Sequence, residues 1–231
     1  FGYDGYGVKI LKSKDDIKNL PETEFIIEDL VPFKKELATT IARNKSGQIE
    51  IFPIVEMMFN EVSNQVEYVL CPAQISSEIN EKAKKIALKV SESFKQVGLL
   101  AVEMFLTHDN KILINEVAPR PHNSAHYSIE SCINSQFDQH INSILDLPLG
   151  SSKSNFYAIM INLVGELGHE GKVVYEGIKE AMLIENTKLH LYGKSKTKPN
   201  RKMGHATVLD SNLENALKKA KKIKELVKVK T

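Results

Sequence analysis

Residues 99–126 read LLAVEMFLTHDNKILINEVAPRPHNSAH, and the order of residue types in this stretch decides how the surrounding chain folds. Residues 99–106 and 111–117 are two runs of apolar and β-branched residues around a short polar turn, which predicts an antiparallel hairpin. Each predicted strand carries one acidic residue, Glu103 or Glu116, among its apolar residues, and a polar loop follows the second strand directly.

The residues before this hairpin contain both strand and helix patterns. Strand patterns occupy 37–42, 49–55 and 65–70, and a turn-type sequence joins the first two. Apolar residues then recur at helical spacing over 76–97, and Gly98 stands where such a helix would stop. This helix is the strongest in the chain by its pattern.

A serine-rich stretch at 151–155 predicts a domain boundary. The elements predicted after it are, in order, a strand over 157–164, a short helix over 175–182, a strand over 189–192, a basic loop over 193–202, a strand over 205–209 and a final lysine-rich helix.

The composition excludes several classes of protein. The chain has 231 residues, a net charge of +2, 42% hydrophobic and 26% charged residues, which is ordinary for a globular protein and excludes disordered, collagen-like and coiled-coil chains. Cys71 and Cys132 lack the spacing of a zinc site or a disulfide framework, so we expect a reducing cytoplasm. No apolar run approaches the roughly 20 residues that a membrane helix needs.

Glu103 and Glu116 are the first candidates for chemistry. Burying a carboxylate without a partner costs several kcal/mol, and a hard cation such as Mg²⁺ would satisfy both groups. The alternative is that both glutamates face outward from the strands. Asn115 adjoins Glu116, and since strand neighbours face opposite ways, one of the two would reach the ion unless the strand bends.

The loop after the second strand carries several hydrogen-bond donors. Arg120, His122, Asn123 and Ser124 lie within five residues of one another, and such a density of donors suits the recognition of an anion. The alternative is a polar surface loop. Two prolines within the loop and its position after the candidate metal strand favour the anion site.

The beginning of the chain is rich in glycine. Gly2, Gly5 and Gly7 could point backbone N–H groups at phosphate oxygens without Cβ obstruction, although a hairpin tip is an equal alternative. Because the chain begins with Phe1 and not with Met, we expect it to be a fragment cut upstream.

Two further segments carry charged residues, one acidic and one basic. Residues 25–27 form an apolar run of the buried type that ends at Glu28, and Glu36 lies eight residues further on; alone, both glutamates suggest surface charge. The basic loop holds Lys194, Arg201 and Lys202, and could bind a phosphate or a nucleic acid. The nearly neutral chain argues against nucleic acid.

With these residues in view, the chain resembles the PurK family of ATP-grasp ligases, the N5-carboxyaminoimidazole ribonucleotide synthetases. The match covers essentially the whole chain, and the sequence NEVAPRPHNSAH at 115–126 is highly specific. The resemblance implies an α+β, N-terminally truncated ATP-grasp fold followed by a small C-terminal α/β domain. It divides the chain into a remnant of the lid subdomain at 1–26, the catalytic subdomain at 27–150 and the C-terminal domain at 151–231.

The resemblance also implies a reaction. ATP would phosphorylate bicarbonate to carboxyphosphate, and the amine of aminoimidazole ribonucleotide would take the carboxyl group or the released CO₂ in purine biosynthesis, leaving ADP and phosphate. The implied cofactors are ATP and Mg²⁺, with Mn²⁺ as a substitute. The implied partners are these small molecules and a second copy in a homodimer, with no nucleic acid and no membrane.

The resemblance assigns roles by matching position. The implied cofactor-binding residues are Gly2, Tyr3, Asp4, Gly5, Tyr6, Gly7, Val8, Glu28, Asp29, Leu30, Val31, Glu36, Asn115 and Glu116. The implied metal ligands are Glu103 and Glu116. The implied catalytic residues are Arg120, His122 and Asn123, and the implied substrate-binding residues are Ser124, Lys194, Arg201 and Lys202.

Two other functions stay open on the sequence. One is a different ATP-grasp carboxylate–amine ligase, such as a formate-dependent purine transformylase. The other is a nucleotide-binding fragment without catalysis, because family members carry an N-terminal domain and ATP-contacting lysines upstream of Gly2. For the same reason we expect this chain alone to be inactive.

Overall fold

The structure is a computed structural model, and it describes residues 10–11, 13–20, 22–60 and 65–231. The glycine-rich segment Gly2 to Val8, predicted to cover the phosphates of ATP, lies outside the described residues.

The described chain contains both strands and helices, and the strands of its large sheet pair antiparallel, which confirms the predicted α+β class. The strands are β1 (Phe33–Arg43), β2 (Ile49–Ile51), β3 (Val55–Asn60), β4 (Gln65–Cys71), β5 (Gly98–Thr107), β6 (Ile112–Ala118), β7 (Tyr157–Val164), β8 (Gly171–Lys172), β9 (Val174–Glu176), β10 (Thr187–Leu191), β11 (Lys196–Thr197), β12 (Lys202–Asp210) and β13 (Lys228–Lys230). The α-helices are α1 (Ser77–Phe94), α2 (Ser128–Ser131), α3 (Gln136–Ile144), α4 (Ile178–Met182) and α5 (Leu213–Leu226), and short 3₁₀ helices span Lys14–Asn19 and Asn123–Ala125.

Nine strands form one antiparallel sheet in the order β10-β12-β7-β4-β3-β1-β5-β6, with β2 paired to β1. The predicted hairpin is confirmed as β5 and β6. Strand β7 pairs with β4, so that Ala158 lies opposite Cys71 and the sheet continues past the serine-rich stretch at 151–155. The domain boundary predicted there stays a prediction, but the two sides share one sheet.

Two amphipathic helices cover the sheet. Helix α1 buries Ile79, Ala83 and Ala87 in a cluster with residues of β1 and β5. Helix α5 covers β7 and β12 in the same way, and its apolar stripe includes the fully buried Ile223. Burial of a large aliphatic side chain contributes about 1.5–3 kcal/mol, so these stripes fix both helices on the sheet. No helix of the described chain is long and apolar enough to cross a membrane.

Two local predictions need correction. The apolar run at residues 25–27 is extended and unpaired among the described residues, and Phe25, Ile26 and Ile27 are 52%, 88% and 74% exposed. An apolar run indicates burial only if another element covers it, and no described element does. Helix α1 ends before Gly98, because Lys95 already adopts the left-handed conformation that terminates the helix.

Candidate functional site

Three carboxylates converge on one face of the sheet. Glu103 in β5 lies directly opposite Glu116 in β6. On its other side Glu103 lies opposite Ala38 in β1, and Glu36 is two residues from Ala38, on the same face of that strand. The predicted pair is therefore brought together by cross-strand register, and Glu36 joins it.

The environment of these carboxylates disfavours negative charge. The pKa of Glu103 is raised from 4.5 to about 7, first by burial and then by the charges of Glu116 and Glu36. Burial alone raises the pKa of Glu36 to about 7. The Glu103 side chain is only 14% exposed, whereas Glu116 is exposed. The alternative in which both glutamates face outward is therefore wrong for Glu103.

Strand β6 contains a β-bulge at Asn115, next to Glu116. The register passes from Glu103 opposite Glu116 to Met104 opposite Ile114, so Asn115 is an extra residue in β6. A bulge interrupts the alternation of side chains and redirects them locally. Asn115 and Glu116 therefore need not point to opposite faces of the sheet, as neighbours in a regular strand do.

His122 connects the polar loop to the carboxylates. Its Nε2 lies 3.5 Å from Oε1 of Glu103. Its Nδ1 lies 2.9 Å from the Ser124 hydroxyl and accepts from the Ser124 backbone N–H. Burial, followed by the charges of Arg120 and Lys202, lowers the pKa of His122 to about 4. The ring is thus neutral at pH 7, and an acceptor at Nδ1 leaves the proton on Nε2, facing Glu103.

The remaining loop residues divide between the site and the scaffold. The Asn123 amide forms a reciprocal pair with the amide of buried Asn162, at 2.8 and 3.0 Å, which ties the loop to β7. Ser124 is buried against His122. Arg120 is exposed, and its guanidinium donates to the Pro121 carbonyl at 3.1 Å. His122 therefore lies beside Glu103, and the charge of Arg120 lowers the pKa of that glutamate, while Asn123 and Ser124 hold the loop in place.

The basic residues of the C-terminal region approach the same site. Lys202 opens β12, and its charge lowers the pKa of Glu103 against the effect of burial. The ammonium group of Lys194 donates to the Lys202 carbonyl at 2.6 Å. Arg201 is partly exposed, and its guanidinium donates to the Lys196 carbonyl at 3.0 Å. The structure thus brings the charge of Lys202 to Glu103 and joins Lys194 to Lys202, while the phosphate roles predicted for Lys194 and Arg201 stay predictions.

Gln136 is a site residue that sequence reasoning missed. It is fully buried at the start of α3. Its Oε1 accepts from the backbone N–H of His122 at 2.8 Å, and its Nε2 donates to the His122 carbonyl at 3.0 Å. The same amide contacts Nδ1 of His126 at 2.9 Å. The one available signal was a buried-type glutamine after the capping residue Ser135, which is too common to identify a site.

Residues of the paired strands β1 and β3, including Glu36, line a cleft. Its lining residues are Phe33, Lys34, Lys35, Glu36, Glu56, Met57, Met58, Phe59 and Asn60. The predicted adenine segment, Glu28 to Val31, is extended, mostly exposed chain that leads into β1 at the mouth of this cleft. An acidic residue at the inner edge and an open backbone segment at the outer edge suit a nucleoside.

Comparisons with known proteins agree with this geometry. A family model described as ATP-grasp domain matches residues 1–137, and one described as phosphoribosylaminoimidazole carboxylase C-terminal domain matches residues 158–219. The chain is 39% identical over 212 residues to the N5-carboxyaminoimidazole ribonucleotide synthase of Bacillus subtilis, an alignment covering 90% of this chain and 54% of that protein. It therefore spans about half the length of the curated relatives it matches.

Solved structures are similar over the same extent. The N5-carboxyaminoimidazole ribonucleotide synthetase of Thermotoga maritima superposes with a TM-score of 0.89 at 45% identity, covering 95% of this chain and 59% of that one. The Aspergillus clavatus synthase in complex with ADP and 5-aminoimidazole ribonucleotide superposes with a TM-score of 0.76 at 34% identity, covering 85% of this chain and 52% of that one.

Proposed function

The chain belongs to the ATP-grasp family, and on that premise we propose that it forms part of an ATP-dependent ligase that carboxylates aminoimidazole ribonucleotide. The overall reaction converts ATP, bicarbonate and this amine to N5-carboxyaminoimidazole ribonucleotide, ADP and phosphate. The observation that carries the proposal is the meeting of buried Glu103 with Glu116, His122 and Lys202 at one end of the sheet.

The carboxylate face suits a hard divalent cation. Glu103 carries a raised pKa because Glu116 and Glu36 add negative charge to a buried position, and a cation would relieve this repulsion. Carboxylate oxygens are the ligands that Mg²⁺ prefers, and Mn²⁺ accepts the same set. We propose Glu103 and Glu116 as the ligands. When bound, the ion would neutralise charge on the transferring phosphoryl group.

The chain's own residues would position ATP and bicarbonate. Glu36 would accept hydrogen bonds from the ribose hydroxyls in the cleft of β1 and β3, and the open backbone of residues 28–31 would pair with the adenine edge. His122 lies beside Glu103, with its Nε2 3.5 Å from Oε1, and Arg120 offers a fork of donors to the anionic acid that forms. Catalysis by such a site is mostly positioning and electrostatic stabilisation.

The phosphate of the ribonucleotide would bind the basic residues. The charge of Lys202 acts on His122 in the polar loop, Arg201 precedes Lys202 in the chain, and the ammonium group of Lys194 donates to the Lys202 carbonyl. An arginine can grip a phosphate with two parallel hydrogen bonds, and lysines add point charge. This arrangement would place the amine of the substrate at the polar loop and its phosphate on β12.

The test measures ADP release that depends on the second substrate. The 231-residue chain and its full-length parent are each supplied with ATP, Mg²⁺ and aminoimidazole ribonucleotide, with bicarbonate or with formate. The proposal expects ADP release in the parent with bicarbonate only. Release with formate instead would assign a transformylase, and ATP binding without turnover in the parent would leave a nucleotide-binding protein that lacks the ligase activity.

A further inference from the structure

A second cluster of ligand-type side chains lies beyond the polar loop, at the far edge of the sheet. His190 in β10 and His205 in β12 lie directly opposite each other, and their rings stack with centroids 4.6 Å apart. Glu130 in α2 reaches this pair, and its Oε1 lies 2.6 Å from Nε2 of His190. We call these three residues the His–Glu cluster. The proposed ligase chemistry uses none of them.

Two polar atoms of the His–Glu cluster lack partners among the residues that the structure describes. They are Oε2 of Glu130 and Nε2 of His205, both buried from solvent. The His205 residue is only 2% exposed. A buried polar atom without a partner is costly, because it has lost its hydrogen bonds to water and gained none in return. Two of them in one cluster indicate a group that is absent from the protein chain itself.

We propose that the His–Glu cluster binds a zinc-class transition-metal ion, with Glu130, His190 and His205 as its three protein ligands. The ligand atoms of the three residues all lie within 4.8 Å of one another. Two imidazoles and one carboxylate form a known zinc ligand set that leaves a fourth position for water. Imidazole nitrogen favours zinc, cobalt or nickel over magnesium, which separates this site from the one at Glu103 and Glu116.

The surroundings of His205 resemble those of a metal ligand. Its Nδ1 lies 3.0 Å from the Tyr192 hydroxyl, and a hydrogen bond to the second ring nitrogen commonly orients a ligating histidine. His126 stacks on the other face of the ring at 4.8 Å, so the ring is held between two imidazoles. A tyrosine hydroxyl can accept as well as donate, so Nδ1 can carry the proton while Nε2 binds the ion.

His190 is the ligand that must move. The planes of the two stacked rings differ by only 18°, so the Nε2 lone pairs do not yet point at a common position. The His190 side chain is 36% exposed, whereas His205 is packed on both faces. Rotation of the His190 ring about its Cβ–Cγ bond would exchange the hydrogen bond to Glu130 for a shared metal ion. The same exposed edge gives the ion a route from solvent.

The experiment titrates the metal-free chain with Co²⁺, whose visible absorption reports tetrahedral nitrogen and oxygen ligands, and then displaces Co²⁺ with Zn²⁺. We expect one ion per chain, with affinity lowered roughly tenfold or more by Glu130→Gln or His190→Ala. Tyr192→Phe, which removes only the contact to Nδ1, should weaken binding about tenfold. The matched control is His169→Ala, because this partly exposed histidine hydrogen-bonds to Thr231, which is not part of the cluster.

Two outcomes would overturn the proposal. One is the absence of tetrahedral Co²⁺ absorption at saturating metal. The other is equal affinity in the wild type, Glu130→Gln and His190→Ala, which would place the ion elsewhere. His190 is partly exposed, so its truncation should leave the fold intact, and circular dichroism of each variant checks this. None of these measurements uses ATP turnover, so their failure is distinguishable from failure of the proposed ligase function.

Discussion

Replacing Glu103 by glutamine should make the metal-free chain more stable above neutral pH, and in the full-length parent it should remove the proposed ligase turnover. The raised pKa of Glu103 means that the folded state favours its protonated form, which glutamine imitates in size and shape. A glutamine carbonyl can still accept from Nε2 of His122. The carboxylate therefore serves function at a cost in stability.

The magnitude follows from the two pKa values. A shift from 4.5 to about 7 corresponds, at about 1.4 kcal/mol per unit, to about 3 kcal/mol. Because the folded state holds the proton more tightly, this contribution is present in full below pH 4.5 and is lost as the pH rises through about 7. The Glu103→Gln variant has no titrating group at this position, so its free energy of unfolding does not fall in this pH range for that reason. The charge of Glu36 is one cause of the raised pKa of Glu103, so the difference between the two proteins reports Glu103 together with its coupling to Glu36.

The assay is urea unfolding of both metal-free proteins at intervals from pH 4.5 to 8. The gap between their free energies of unfolding should widen with pH and reach about 3 kcal/mol at the upper end. Added Mg²⁺ should stabilise the wild type and not the variant. A gap that stays constant with pH, or a variant less stable than the wild type at pH 8, would refute the reasoning.

Three further changes probe other parts of the molecule. Gln136→Leu should destabilise the chain by several kcal/mol, because the His122 backbone loses two partners and His126 loses one; urea unfolding beside the wild type tests this, and an unchanged midpoint would contradict it. Ile223→Ala should cost about 2–5 kcal/mol by opening a cavity under α5, measured as a lowered Tm, with no loss arguing that the helix repacks. Arg201→Ala in the full-length parent should raise the KM for the ribonucleotide with little change in kcat. A fall in kcat with an unchanged KM would instead place Arg201 in the chemical step.

The parts of the fold that sequence could predict are those set by short-range patterns. The β5–β6 hairpin follows from two apolar runs and a turn, and the pairing of Glu103 with Glu116 then follows from register. Helix α1 follows from its apolar spacing. The predicted polar loop and basic loop do meet at one site, because each is anchored by an adjacent strand.

The parts that sequence could not predict depend on distant partners. The run at residues 25–27 has the composition of a core strand, but burial requires a covering element that composition does not reveal. The extra residue Asn115 in β6 is visible only as a change of register against β5. Gln136 acts on His122 from a separate helix, and no local pattern distinguishes it from other buried glutamines.

Because β7 pairs with β4, one continuous sheet connects the strand of Lys202 to the strand of Glu103. Five strand spacings separate β12 from β5, or about 24 Å in a flat sheet, yet Lys202 acts electrostatically on Glu103. The natural twist of a sheet must therefore curl the edges toward each other around the polar loop. The distance between Lys202 and Glu103 is then set by the main-chain hydrogen bonds of the strands between them, so a substitution that disturbs the pairing of β4 with β7 would change this distance.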